Sequence, residues 1–242
     1  MRGVDISRYQ KGLSIKQIKD AGNEFAIIKL TEGNFLIDNA AFAFYHEAYE
    51  LGFPVGCYCY SHADTPEQAR REAEFLLKTI NGFPMPCGVF LDVEEPKMLE
   101  LNYPALMSVL SAWCDAIKAA GYVPGVYGSE YNLWAQVSHE DLPTDTLVWV
   151  AHYGKEPDVA CDLWQSSDSG SIAGYSGNVD TDETRSAWFE ALVLKGFQIP
   201  ETDKPPNACP VGSPLDLIAE FLRTDACRKL FEAYIAGKER EK

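Results

Sequence analysis

Leu91-Asp92-Val93-Glu94 sets two carboxylates at positions i and i+2. On a strand such residues point to one face, with Cα atoms about 6.5–7 Å apart. Two like charges held that close raise the pKa of at least one of them. That is how a carboxylic acid stays protonated near neutral pH and serves as a general acid. Glycoside hydrolysis is a chemistry that runs on such pairs. The plainer alternative is a solvated loop in which Glu94-Glu95-Pro96 presents surface acids. Two further acids have similar standing. Asp5 follows an apolar pair in Gly3-Val4-Asp5-Ile6-Ser7 and falls at the end of a first strand, although an Asp near a Ser is equally a turn or cap residue. Asn178-Val179-Asp180-Thr181-Asp182 offers Asp180, whereas Asp182 reads as the N-cap of a helix beginning near 183.

Other chemistries find little support. Four histidines (His46, His62, His139, His152) occur without a Gly-x-Ser-x-Gly elbow, so a nucleophilic triad lacks its parts. His46 falls within a helix, as a surface or packing residue. Gly125-Val126-Tyr127-Gly128 is too short for a phosphate loop. No CxxC, HExxH or Cys/His cluster is present, so neither metal nor cofactor is expected.

The elements that must hold the acids are legible as alternating strands and helices. Strands are expected at 27–30, 54–60, 88–92, 122–127 and 147–151, and helices at about 38–51, 66–80, 103–120 and 183–194. Thr65-Pro66 is an N-cap followed by proline at the first helical position. Near-continuous apolar strands between helices signal a parallel sheet buried on both faces. Polar and aromatic residues recurring at the strands' C-terminal ends favour a β/α barrel over a doubly wound sheet, because barrels build their sites there.

After Gln198 the texture changes. Residues 198–213 form a proline-rich linker, and 214–242 carry apolar positions at helical spacing (Leu215, Ile218, Leu222, then Leu230, Phe231, Ile235). So short a segment cannot bury a core alone, so it is expected to dock on the barrel or self-associate. Of the net charge of −15, residues 1–197 carry −14 and the remainder −1. That balance disfavours nucleic acid and anionic membrane surfaces as partners. No run of about 18 apolar residues predicts membrane insertion. Residues 1–7 lack an apolar signal region, and seven cysteines is an odd count, so cytoplasmic synthesis with reduced thiols is the simpler expectation.

Taken in order, the motifs resemble glycoside hydrolase family 25. Those carrying the resemblance are Asp5-x-Ser7-x-x-Gln10, Lys29-x-Thr31-Glu32-Gly33 with Asp38 and Phe42, Gly56-x-Tyr58-x-Tyr60, Leu91-Asp92-Val93-Glu94, Tyr127, Trp149-x-Ala151-x-Tyr153, Trp164-Gln165 and Val179-Asp180. Together they span about residues 3–190. The resemblance implies an irregular β/α barrel that cleaves the β-1,4 bond between N-acetylmuramic acid and N-acetylglucosamine in bacterial peptidoglycan. It makes Glu94 the proton donor and Asp92 the carboxylate assisting the acetamido group or developing cation, with Asp5 and Asp180 completing an acidic rim. Tyr58, Tyr60, Tyr127 and Trp149 would form the sugar platform, with Gln165 beside it and Lys29 tuning the charge. The missing signal region beside such an activity points to action on the wall after release from the cytoplasm, as for a phage endolysin, with a non-classically exported bacterial autolysin as the alternative. A non-catalytic glycan-binding barrel is the competing reading. Two departures stand out: His62 occupies a position where an aromatic residue is expected, and the segment after 197 matches no wall-binding module.

Overall fold

The chain divides into two units, Met1–Gln198 and Ile199–Lys242. The computed structural model describes residues 1–196; the linker and helical tail expected beyond 197 lie outside the described residues.

Among the described residues, nine strands form one sheet. They are β1 (Arg2–Ile6), β2 (Phe25–Glu32), β3 (Leu36–Ile37), β4 (Val55–Tyr60), β5 (Val89–Asp92), β6 (Pro124–Ser129), β7 (Leu147–Ala151), β8 (Leu163–Gly170) and β9 (Val179–Thr184). Their order is β1-β9-β8-β7-β6-β5-β4-β2-β3, and β1 also pairs with β2, which closes eight strands into a ring and leaves β3 as a hairpin on β2. All ring pairings are parallel except those of β9, which runs antiparallel to β1 and β8. This is the expected barrel, and β9 together with sparse helices in its second half makes it irregular.

The described residues also form six α-helices: α1 (Ile15–Asp20), α2 (Ala41–Glu50), α3 (Pro66–Ile80), α4 (Pro96–Leu99), α5 (Tyr103–Ala119) and α6 (Ala187–Lys195). Thr65 caps α3 through a capping box with Gln68, and Pro66 opens it, as the sequence indicates. Such a cap contributes about 1 kcal/mol. Between β6 and β9 the described chain has only one short 3-10 turn, His139–Asp141, so the strict strand–helix alternation stops after β6. The last helix also starts later than expected. Residues 183–184 continue β9, and Ser186, not Asp182, caps α6 by accepting from the Phe189 N–H.

Strand alternation sorts side chains into two cores. Outward residues such as Val55, Cys57, Cys59, Val89, Leu91, Val126 and Val148 pack under the helices with Leu76, Leu110 and Trp113. Inward residues Phe25, Ile27, Phe90, Leu147, Trp149 and Leu163 fill the barrel with Phe189 from α6. Cys57 and Cys59 therefore flank an inward Tyr58, and the five cysteines among the described residues are free thiols. The barrel accommodates its aromatic rings by omitting side chains opposite them. A Cβ on Gly125 would lie 2.2 Å from the Phe90 ring, and one on Gly3 would lie 2.3 Å from Phe25.

Candidate active site

Above that aromatic filling the same strands turn polar. Asp92 ends β5 and lies in register with Tyr127 of β6, which is in register with Trp149 of β7. Asp5 of β1 faces Asp180 of β9. Asp5, Tyr58, Asp92, Glu94, Tyr127, Trp149, Gln165 and Asp180 line one pocket of about 300 Å³ at the C-terminal mouth of the barrel. Eight of the ten residues singled out in the sequence thus meet in one place. The other two stand at its shoulder: Lys29 is buried, pairs with Glu32 at 2.9 Å and lies over the Tyr60 ring at 4.9 Å.

The two acids of the Asp-x-Glu motif have unlike surroundings. Glu94 reaches solvent, while Asp92 is 5% exposed. Partial burial of its carboxyl against the pocket wall raises the Glu94 pKa; a hydrogen bond from Tyr127 Oη at 3.3 Å and the Lys29 charge partly oppose it. Burial pushes Asp92 well above the ordinary carboxylate range and Glu94 adds to it, with Lys29 pulling the other way. Asp92 Oδ1 is buried and receives no hydrogen bond among the described residues. Asp5 is raised by burial and then by Asp180, and Asp180 itself rises to about 6 through burial, Asp168 and Glu94. The mouth therefore holds protonatable carboxyls beside aromatic faces: Trp149 packs on Tyr127 with ring centroids 4.4 Å apart and meets Tyr58 edge-on at 6.3 Å.

A hydrogen-bonded chain ties the strands together. Gln165 Nε2 donates to Asp5 Oδ2 at 2.7 Å, and Gln165 Oε1 accepts from Tyr127 at 2.9 Å and Tyr153 at 3.0 Å. Sequence reasoning missed Asp182, which is buried under the pocket and accepts the Trp149 indole N–H at 2.9 Å. Its i,i+2 spacing from Asp180 carried the same signal as Asp92 and Glu94, but the helix start placed at 183 hid it. His62 forms part of the pocket's shoulder. Its ring packs on Tyr60 and Phe35 and lies between Glu95 (3.2 Å) and Glu32 (3.5 Å). Among the described residues, no group of three or more His, Cys, Asp or Glu is placed to hold a metal ion.

Paired carboxyls with aromatic walls at the C-terminal mouth of a β/α barrel define a glycoside-cleaving type of site. The glycosyl hydrolases family 25 model matches residues 4–175, and the chain belongs to that family. It is similar to an autolytic lysozyme of Clostridium acetobutylicum, with 31% identity over 76% of this chain and 55% of that protein, so the match spans about half that relative's length. Lysozyme M1 of Streptomyces globisporus is 26% identical over 80% of this chain and 71% of its own. Among solved structures, a bacterial lysozyme from Streptomyces coelicolor superposes with a TM-score of 0.69 at 24% identity, covering 80% of this chain and 96% of the other. The catalytic domain of an endolysin from a Listeria monocytogenes bacteriophage gives 0.70 at 23%, covering 80% and 97%. These two likenesses concern the fold.

Proposed function

We propose that this protein is a muramidase that hydrolyses the β-1,4 bond between N-acetylmuramic acid and N-acetylglucosamine of peptidoglycan. The observation that carries this reading is the unequal acid pair. Glu94 is solvent-reaching with a raised pKa, and Asp92 beside it is buried with one oxygen that accepts from no group among the described residues. A proton donor has to meet the leaving oxygen and hold its proton more tightly than an ordinary carboxyl; Glu94 reaches solvent and its pKa is raised. Asp92 Oδ1 retains its acceptor capacity for the acetamido N–H of the sugar. Asp5 and Asp180 complete the acidic rim. Tyr58, Tyr127 and Trp149 offer apolar faces to pyranose rings, with Tyr60 and Lys29 at the shoulder. Gln165 lines the pocket beside that platform and also holds Asp5. Such an enzyme would act on the bacterial wall after leaving the cytoplasm in which it is made, as its similarity to autolytic and phage lysozymes suggests.

Digestion of purified peptidoglycan by the native protein and by Glu94→Gln, with new reducing ends identified by mass spectrometry, tests the reading. Muramic acid ends are expected from the native protein, and their rate of appearance should fall by about 10²–10⁴ in the variant. Glycan that is bound but left intact by both proteins would establish a non-catalytic glycan-binding barrel instead. New ends bearing glucosamine would reassign the bond.

A further inference from the structure

Asp182 lies on β9 beneath the cleft and is 1% exposed. Across the strands it is in register with Gly3 of β1 and Gln165 of β8. Its Oδ1 accepts the Trp149 indole N–H at 2.9 Å, while its Oδ2 is buried and no N–H or O–H of the described residues donates to it. The Asp5 carboxyl lies within hydrogen-bond reach of Asp182, and Asp5 is itself an acceptor, taking Gln165 Nε2 at 2.7 Å. The charged groups that face Asp182 are Asp5 from β1 and Asp180 on its own strand; β7 and β8 present the neutral Trp149 and Gln165. Two contacting carboxyl groups, buried together and without a cation between them, cannot both be ionised.

We propose that Asp182 is a neutral carboxylic acid that donates its O–H to Asp5, and that it is a positioning residue for the cleft. Its consequence runs through four named groups. With the proton on Asp182, Asp5 is the ionised member of the pair. An ionised Asp5 fixes the Gln165 amide with Nε2 toward the carboxylate and Oε1 toward the tyrosines. Tyr127 has one hydroxyl proton, and the shorter of its two contacts, 2.9 Å against 3.3 Å, is to Gln165 Oε1. Once that proton is directed at Gln165, Tyr127 no longer donates to Glu94 Oε1, and the hydrogen bond that opposes the rise of the Glu94 pKa is withdrawn. That favours a protonated Glu94, the form a proton donor must have. Asp182 also orients Trp149, whose ring forms part of the pocket wall. Burial and the Asp5 charge both hold the Asp182 carboxyl in its neutral form.

The kinetic arm of the test rests on the muramidase reading; the spectroscopic arm does not. Infrared spectra of native protein and Asp182→Asn are compared at mildly alkaline pH, above the Asp180 value of about 6. One protonated-carboxyl C=O band of the native protein should be missing from the variant; an unchanged band pattern overturns the proposal. On peptidoglycan fragments, Asp182→Ala should lose kcat on the order of 10²-fold with KM little changed. Asp182→Asn supplies an N–H to Asp5 and an acceptor to Trp149, so it should restore most of that loss. The alkaline limb of its pH–rate profile should coincide with the native one, because no charge has been removed. A limb displaced to lower pH would mean that Asp182 is ionised in the native enzyme, which also overturns the proposal. Where Asp182→Ala does not fold, the Asn variant decides through both readouts. If no form of the protein cleaves glycan, the muramidase reading falls and the infrared comparison still decides the state of Asp182.

Discussion

Phe90 and Asp92 lie two residues apart on β5 and both point into the barrel, yet they stand in different media. Around Phe90 are Phe25, Ile27, Leu147, Trp149 and Leu163, a dry floor sealed below by Phe189 of α6. Around Asp92 are Glu94, Tyr58, Tyr127 and Asp180, an open mouth crowded with groups that want protons or charge. Apart from Trp149, which belongs to both layers, the floor lines no part of the pocket, but it supplies the low-dielectric bed from which the mouth derives its shifted carboxyls. Burial is the first cause of the raised pKa at Asp5, Asp92, Glu94, Asp180 and Asp182 alike. Stability resides in one layer and chemistry in the next, and the second depends on the first.

Substitutions in the floor should therefore reduce stability, and substitutions in the mouth should raise it while reducing activity. The largest effect is expected at Phe90, which is fully buried and meets Trp149 edge-to-face at 5.2 Å. Phe90→Ala should cost about 3–5 kcal/mol in urea unfolding. It would also admit water beneath Asp92 and bring the carboxyl pKa values back toward ordinary ones. A variant that lost stability with its pH–rate profile unmoved would separate the two layers and break the comparison. Gly125→Ala tests the same floor by addition. The new methyl meets the Phe90 ring, and the clash should cost about 1–3 kcal/mol without removing any apolar surface.

Asp180 tests the mouth. Its folded pKa of about 6 exceeds the ordinary value of 3.8, so between those values the native state holds more protons than the unfolded one. Stability then declines as pH rises through that window, and the penalty is absent below it and complete above it. Asp180→Asn should stabilise the protein by about 1–2 kcal/mol above pH 7, after allowance for its partial exposure, and by nothing near pH 3. Chemical denaturation at the two pH values reads this directly. A gain that is equal at both would place the effect in packing rather than charge.

The sequence revealed the barrel's parallel half well, because β2, β4, β5, β6 and β7 are short apolar runs with turn residues at their ends. Periodicity of that kind reports burial on two faces. It fails where a strand is buried on one face and runs antiparallel, as in Val179–Thr184, whose alternating acids and threonines read as a turn followed by a helix cap. The same misreading removed Asp182 from the candidate site. Eight of the ten site residues line one pocket because the parallel strands carry most of them at or beyond their midpoints, and antiparallel β9 brings Asp180 to the same rim near its start. Lys29 and Tyr60 fell to the shoulder for a reason that no spacing reveals. A register shift in β2 between Lys29 and Thr31 brings in Glu32, which then takes the Lys29 ammonium at 2.9 Å.

The smallest expected effect concerns the whole surface rather than either layer. Residues 1–197 carry −14 of the net charge, and a wall bearing anionic polymers would repel such a body over roughly a Debye length, about 10 Å at 0.1 M salt. Added salt screens that repulsion, so kcat/KM on intact walls should rise, by about twofold to tenfold, as ionic strength goes from about 0.01 to 0.15 M. On short uncharged glycan fragments the same change should have little effect, because only the encounter with the wall is screened. The mouth is the sharper part of this test. Asp5, Asp92, Glu94 and Asp180 are concentrated there, and raised pKa values keep some of them neutral. Their contribution to the repulsion should therefore grow as pH rises past about 6, where Asp180 ionises, and the salt effect should be larger above that pH than below it. A salt response independent of pH would assign the repulsion to the outer surface and leave the mouth out of it.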